Sequence, residues 1–336
     1  MINSLLVIGT ALAFEEVLND HNTPYELVDD EESREFRKVW ESADDKDKKL
    51  VHRQALPAVK RIAEHEPYLF EDNGNPLRIR FNYLTRKLHE DSFGELLLER
   101  PDIDWNISIS IKNDARIIAA LPVADRTRNT RDGRVINIFN EIDDFGDRIF
   151  NVPCTNDYFN DVNEVLLTFE PLKTEEWMEM IKDDDFLYGK LVSPMLKAIG
   201  NEISRIVKYH PEAPQKLIDY FYGKYDYYFF NPIEELEVTR IGAVNCHGQL
   251  GRIPDSHHYY TPRVKYPSEL LEVRFATGKS GEILRDTIKF AFDGGWELCM
   301  TLHIEDDHID DRNFSLNVYL PATPYGSYRD QVKWDE

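Results

Sequence analysis

The sequence predicts an α+β fold, and three observations carry that prediction. Apolar residues recur at helical spacing through the charged stretch from Glu31 to His65. Between Phe81 and Ala120 the period changes to two, most clearly in WNISISIK at Trp105 to Lys112. Past Tyr227 the chain reads as short alternating runs separated by turn residues.

The elements follow in order. The opening MINSLLVIGTALAFEEV has an apolar stretch with no basic residue ahead of it and acids directly after, the pattern of a helix and not of a signal peptide. No run is long enough to span a membrane, and a cytoplasmic protein is expected. The helices of residues 31–65 are expected to break near Asp44 to Lys46 and at Pro57. ELLLE, from Glu95, reads as a short apolar strand, RPDID as a turn and WNISISIK as a second strand. Residues 150–225 return to helix in YFNDVNEVLLTF and LVSPMLKAIGNEISRIVKY. DTIKFAF, DGG and WELCMTLHI form a hairpin, and FSLNVYL adds a strand. In that hairpin Trp296, Leu298, Met300, Leu302 and Ile304 share a core face, leaving Glu297, Cys299, Thr301 and His303 on a face free for contacts. The division expected is a helix-rich part over 1–230, with its key strands at about 91–120, and a β-rich part over 231–336. The latter is either a subdomain or continuous with the core.

Three cysteines, Cys154, Cys246 and Cys299, lie far apart with no CxxC pair, which argues against a disulfide framework or a thiolate zinc site. The net charge of −22 is the wrong sign for a nucleic-acid partner unless cations are gathered in one place. DRTRNTRDGR, with Arg126, Arg128, Arg131 and Arg134, is either such a gathering or an ordinary solvated loop.

The chemistry centres on WNISISIK. Trp105, Ile107, Ile109 and Ile111 form its apolar face, while Asn106, Ser108, Ser110 and Lys112 project from the other. The turn at Pro101 to Asp104 can bring the Glu95 carboxylate beside Ser110 and Lys112. Phosphodiester hydrolysis needs a carboxylate-held divalent cation and a second cation near the attacking water, and acid, small polar residue and lysine meet that need. The alternative for these residues alone is an edge strand with a solvated polar face.

Resemblance in sequence order separates the two. ELLLERPDIDWNISISIKND is similar to the active-site hairpin of the HaeIII-type restriction endonucleases. DFGDRIFNVPC at Asp144 to Cys154, PQKLIDYFYGKYDYY at Pro214 to Tyr228 and GAVNCHGQL at Gly242 to Leu250 continue it, and YPSELLEVRF and FDGGWELCMTLHI resemble the closing strands. The resemblance implies the PD-(D/E)xK nuclease fold, a mixed sheet flanked by helices with a mainly antiparallel C-terminal region. It implies Mg²⁺, cleavage of double-stranded DNA within GGCC, and a cytosine methyltransferase that protects a prokaryotic host.

By that resemblance Glu95 is the metal-binding acid, Lys112 the residue that orients or deprotonates water, and Ser110 stands where the family places a second acid. Glu95 replaces a family Asp. Asn106 replaces a Glu after the tryptophan; its carbonyl can still coordinate a hard cation, and Asp91 or Asp114 is the alternative acid. Candidates for DNA contact are Asn113, Arg126, Arg128, Asn245, His247, Arg274, Lys279 and Asn317, residue types that suit major-groove edges or phosphates. Each has a structural alternative: Asn245 and Asn317 can satisfy backbone, Arg274 can pair with an acid, and Lys279 can sit at a hairpin tip. DSHHYY is discounted because adjacent histidines of an extended chain face opposite ways, and HIEDDHIDDRN because it lacks the glycine and terminal Glu of a calcium loop. A palindromic site allows a homodimer or a monomer that nicks each strand. Another PD-(D/E)xK nuclease and a non-catalytic DNA-binding protein of the same fold are the competing functions.

Overall fold

The computed structural model describes residues 2–71, 74–81, 94–111, 117–122, 146–169, 171–254, 258–278, 280–304, 314–321 and 324–335. They form two compact units that interleave in sequence. The first takes Met1–Arg116, Tyr222–Lys265 and Thr323–Glu336, and the second Ile117–Phe221 and Tyr266–Ala322. Division by composition put one cut near residue 230; division by contact returns the chain to the first unit twice.

In the first unit a seven-stranded mixed sheet runs β1-β2-β3-β4-β6-β7-β12. The strands are β1 (Tyr25–Leu27), β2 (Leu77–Phe81), β3 (Leu96–Arg100), β4 (Trp105–Ile111), β6 (Tyr227–Ile233), β7 (Val238–Val244) and β12 (Tyr328–Lys333). β1 with β2 and β4 with β6 are parallel, and the other neighbours are antiparallel. Helices α1 (Ile2–Asp20), α2 (Glu31–Ser42) and α3 (Asp45–His65) cover the face made by Leu96, Leu98, Trp105, Ile107, Ile109, Ile111, Tyr228 and Phe230. α1 is buried on almost every side, from Leu5 to Leu18, as a helix apolar around its circumference should be. No described helix is long and apolar enough to cross a membrane.

α3 corrects one expectation. Asp44 ends the gap after α2 by capping the Asp47 amide at 2.7 Å, but Pro57 lies inside an unbroken helix. A mid-helix proline costs about 3 kcal/mol. Here Ala55, Ala58, Val59 and Ile62 are buried on the same helix, and full burial of Val59 and Ile62 is worth about 1.5–3 kcal/mol each, enough to hold the helix through the lost bond.

The turn before β4 is as the sequence predicts: Pro101–Ile103 is a 3₁₀ turn closed by Asp104 in the left-handed region. Arg100, fully buried, secures the neighbouring loop by donating to the carbonyls of Tyr68, Asn75 and Leu69 at 2.7, 3.0 and 2.9 Å.

The second unit holds an antiparallel sheet in the order β5-β11-β10-β9-β8. Its strands are β5 (Ile117–Pro122), β8 (Leu270–Thr277), β9 (Ile283–Phe292), β10 (Glu297–Ile304) and β11 (Phe314–Tyr319). The predicted hairpin is β9 and β10, paired from Ala291↔Glu297 onward across the turn Asp293–Gly295. Trp296, Leu298, Met300 and Leu302 are buried as expected, but so is Cys299 on the side expected to be free. Both faces of β10 are covered at that point, which alternation cannot reveal. The helices are α4 (Asn156–Phe169), α5 (Thr174–Met180), α6 (Ser193–Tyr209) and α7 (Ala213–Tyr222), and α6 packs on β8 and β9. The buried Glu202 of α6 accepts from the Thr155 amide at 2.7 Å, just ahead of α4. The α+β class, with a mixed sheet flanked by helices and a second antiparallel sheet, is thus observed.

Candidate active site

β4 is the middle strand of its sheet, not an edge, and its polar face is covered: Ser108 is 0% and Ser110 7% exposed. The solvated-edge alternative is therefore excluded. A buried hydroxyl must find a partner, and the Ser108 Oγ accepts from the Gly94 amide at 2.7 Å. A Cβ on Gly94 would lie 2.1 Å from that Oγ and 2.3 Å from the Ile109 carbonyl oxygen, so this close approach requires glycine.

Glu95 follows at once. Leu96 pairs with Ile109 and Leu97 with Ser108, and Glu95 stands immediately ahead of these paired residues. Glu95 is 1% exposed, and its carboxylate accepts from the Ile111 amide at 2.6 Å. The acid is thereby tied to the residue immediately before Lys112. Asn106 is not part of this group. It pairs with Glu99, and four residues of strand, about 13 Å, separate it from Ser110. Metal–oxygen bonds are about 2.0–2.6 Å, so Asn106 cannot share an ion with Glu95, and the reading that made both ligands of one cation is corrected.

On the far side β6 runs parallel to β4, with Tyr227 beside Ser108 and Phe229 beside Ser110. Asp226, just ahead of β6 and fully buried, accepts from the amides of Cys246, His247 and Gln249 at 2.7, 2.9 and 2.8 Å and from the Tyr222 hydroxyl at 2.8 Å. Burial, reinforced by the Asp226 charge, pushes the Tyr222 phenol well above its ordinary value. Asp226 therefore holds the GAVNCHGQL loop as a structural acid.

Asn245 belongs to the same loop. Its Nδ2 donates to the carbonyls of Leu250 and Thr261 at 3.0 and 2.8 Å, its Oδ1 accepts from the Leu250 amide at 3.3 Å, and it is fully buried. Its assignment to a base is corrected to backbone support. His247 is exposed, with its ring nitrogen 3.1 Å from the Gly223 carbonyl. In the second unit Arg274 is exposed on β8 and pairs with Glu272 at 2.9 Å, the expected alternative to a base contact. Asn317 is half-buried in β11 opposite Thr301 and Ala120. Asp91, Lys112, Asn113, Asp114, Arg126, Arg128 and Lys279 lie outside the described residues.

Sequence reasoning missed Ser108 as the hydroxyl that fixes the approach to Glu95. The signal was the repeated serine on a strand buried on both sides. It also missed a buried network across the helix-packed face. Glu66 at the end of α3 accepts from the Tyr228 hydroxyl and the Gly251 amide, both at 2.7 Å, and Tyr228 also bonds Thr261 at 2.7 Å. Burial pushes the Glu66 carboxyl up to about 8.

An acid held against the last residue of a strand, with lysine next in sequence, offers hard oxygen donors and suits phosphate chemistry. Among the described residues no three of His, Cys, Asp and Glu converge as a metal cluster would. The model of the HaeIII restriction endonuclease family matches residues 15–318. The chain belongs to that family. A similar protein is the Type II restriction enzyme HaeIII of Haemophilus aegyptius, 22% identical over 310 residues, which cover 89% of this chain and 87% of that one. No solved structure matches the chain. As a HaeIII-family restriction endonuclease it is a site-specific DNA nuclease, and the β3–β4 hairpin that carries the resemblance is the one that positions Glu95.

Proposed function

We propose that this HaeIII-family chain is a Mg²⁺-dependent Type II restriction endonuclease that cuts double-stranded DNA within the palindrome GGCC. It would act in a prokaryotic cytoplasm alongside a cytosine methyltransferase that marks the same site. The observation that supports this most is the Glu95 carboxylate against the Ile111 amide, one residue ahead of Lys112 and one after Ser110 in sequence. In this reading Glu95 and Ser110 hold the cation, with Asp91 or Asp114 as the further acid. The cation when bound lowers the pKa of a water and offsets phosphate charge. Lys112 orients the attacking water or takes its proton. Ser108 and Gly94 keep the Glu95 oxygens in place, and the covered sheet face keeps bulk water from the acid. The second unit, with Arg274, Lys279 and Asn317, is the proposed recognition part, and a two-fold dimer is the simplest match to a palindrome.

One observation favours a competitor. Ser110 stands where an acid is expected and Asn106 is a strand's length away, an arrangement compatible with DNA binding without cutting. Incubation with plasmid DNA and Mg²⁺, beside Lys112→Ala, separates the two. Discrete fragments ending within GGCC and lost in the variant support the nuclease; binding with no cutting by either protein rejects it.

A further inference from the structure

Duplex DNA carries one negative charge per about 1.7 Å of its axis, so a chain of net charge −22 must present cations locally to hold it. The first unit's sheet does so on the face that bears Ser110. A rung runs from Ser110 through Phe229 and Gly242 to Arg329. Two residues along, Asn231, Arg240 and Gln331 form the next rung of that face, and Lys333 follows Arg329 and Gln331 by alternation. Arg240, Arg329, Gln331 and Lys333 are exposed. Strands β4, β6, β7 and β12 contain one carboxylate, Asp330. It lies opposite Ile241, on the helix-packed face, and pairs there with Arg61 at 3.4 Å. Among the described residues neither Arg240 nor Lys333 has an acid within ion-pair distance.

A Cβ on Gly242 would lie 2.2 Å from the Phe229 ring, so that ring lies across the glycine, which itself adds no side chain between Phe229 and Arg329. Three inter-strand steps of about 4.8 Å put Arg329 about 14 Å from Ser110, the axial length of about four base pairs at 3.4 Å each. At that reach a cation meets the backbone flanking a short site and not the phosphate being cut.

We infer that Arg240, Arg329 and Lys333 form a docking surface for the phosphate backbone of duplex DNA beside the cleavage site, a proposal that rests on the nuclease reading above. It accounts for how an acidic chain binds an anion: from β4 to β12 the strands put no carboxylate on this face, Glu99 lying beyond β4 on β3 and Asp330 on the helix-packed face. Contacts of this kind add affinity without reading sequence.

The test is binding in Ca²⁺ to duplexes with and without GGCC, across a salt series, for the wild type, Arg240→Gln and the triple variant R240Q/R329Q/K333Q. Each phosphate contact contributes about 0.9 to the slope of log affinity against log salt. The single variant should lose about one unit of slope and the triple variant about two to three, equally on both duplexes, while R240K/R329K retains it. Unchanged slopes in variants with wild-type circular dichroism would overturn the proposal alone. Loss confined to the GGCC duplex would overturn it too, because the residues would then read bases. A wild type that neither binds nor cuts DNA would overturn the nuclease reading and this surface together.

Discussion

Glu66→Gln is expected to flatten the dependence of stability on pH. In the folded chain the Glu66 Oε1 accepts two hydrogen bonds, while Oε2 is buried with no hydrogen-bond partner. Burial is the largest influence and raises the carboxyl from 4.5 to about 8, against the lowering effect of the Tyr228 and Gly251 bonds. A raised acid keeps its proton in the folded state while the unfolded chain ionises. Its contribution is therefore complete below about pH 4.5 and is lost as pH rises through about 8. At about 1.4 kcal/mol per pKa unit, the gap is worth on the order of 5 kcal/mol across that window. Glutamine keeps the shape and the accepting oxygen but cannot ionise. Urea unfolding of both proteins at intervals from pH 5 to 8 should give similar stabilities at pH 5 and a widening advantage for the variant as pH rises. Parallel curves would refute the reasoning, because Glu66 would then ionise no differently when folded.

Ser108→Ala removes the acceptor of the Gly94 amide and should cost about 1–3 kcal/mol, with a loss of cleavage rate greater than that of a surface serine change; plasmid cutting and urea midpoints measured together check this. Asn245→Ala strips three loop hydrogen bonds and should lower stability by on the order of 3 kcal/mol; an altered cutting site at unchanged stability would instead put its amide on a base. Arg100→Lys cannot reproduce three donations from one rigid fork and should lower stability by on the order of 2 kcal/mol, read from the midpoint of thermal unfolding.

Local pattern carried much of this architecture. The two-residue period of β4, the turn at Pro101, the β9–β10 hairpin and the helices after residue 150 could all be read directly. What failed has a common cause, since period tells which residues share a face but not what covers it. Ser108 and Ser110 were read as solvated or catalytic surface, yet β4 is central and both are buried. Cys299 repeats that lesson in β10. Pairing between distant segments was equally hidden: β5 follows β4 in sequence but joins β11 in the other sheet. Register and one buried hydrogen bond decided the site, because Glu95 bonds the Ile111 amide while Asn106 pairs with Glu99. The cations of β7 and β12 were overlooked because they are scattered over two distant segments and only cross-strand pairing lines them up.

The interleaving of the two units bears on the order in which the protein is made. β12 comes after every other element, yet it closes the edge of a sheet begun by β1 and β2. Both excursions into the second unit are synthesised before that edge can be paired. A chain still emerging from the ribosome therefore lacks the strand bearing Arg329 and Lys333, and no contiguous fragment contains the whole first unit. Domains made of one stretch can fold as they are extruded; this sheet has to wait, holding β7 unpaired on one side until its last partner arrives.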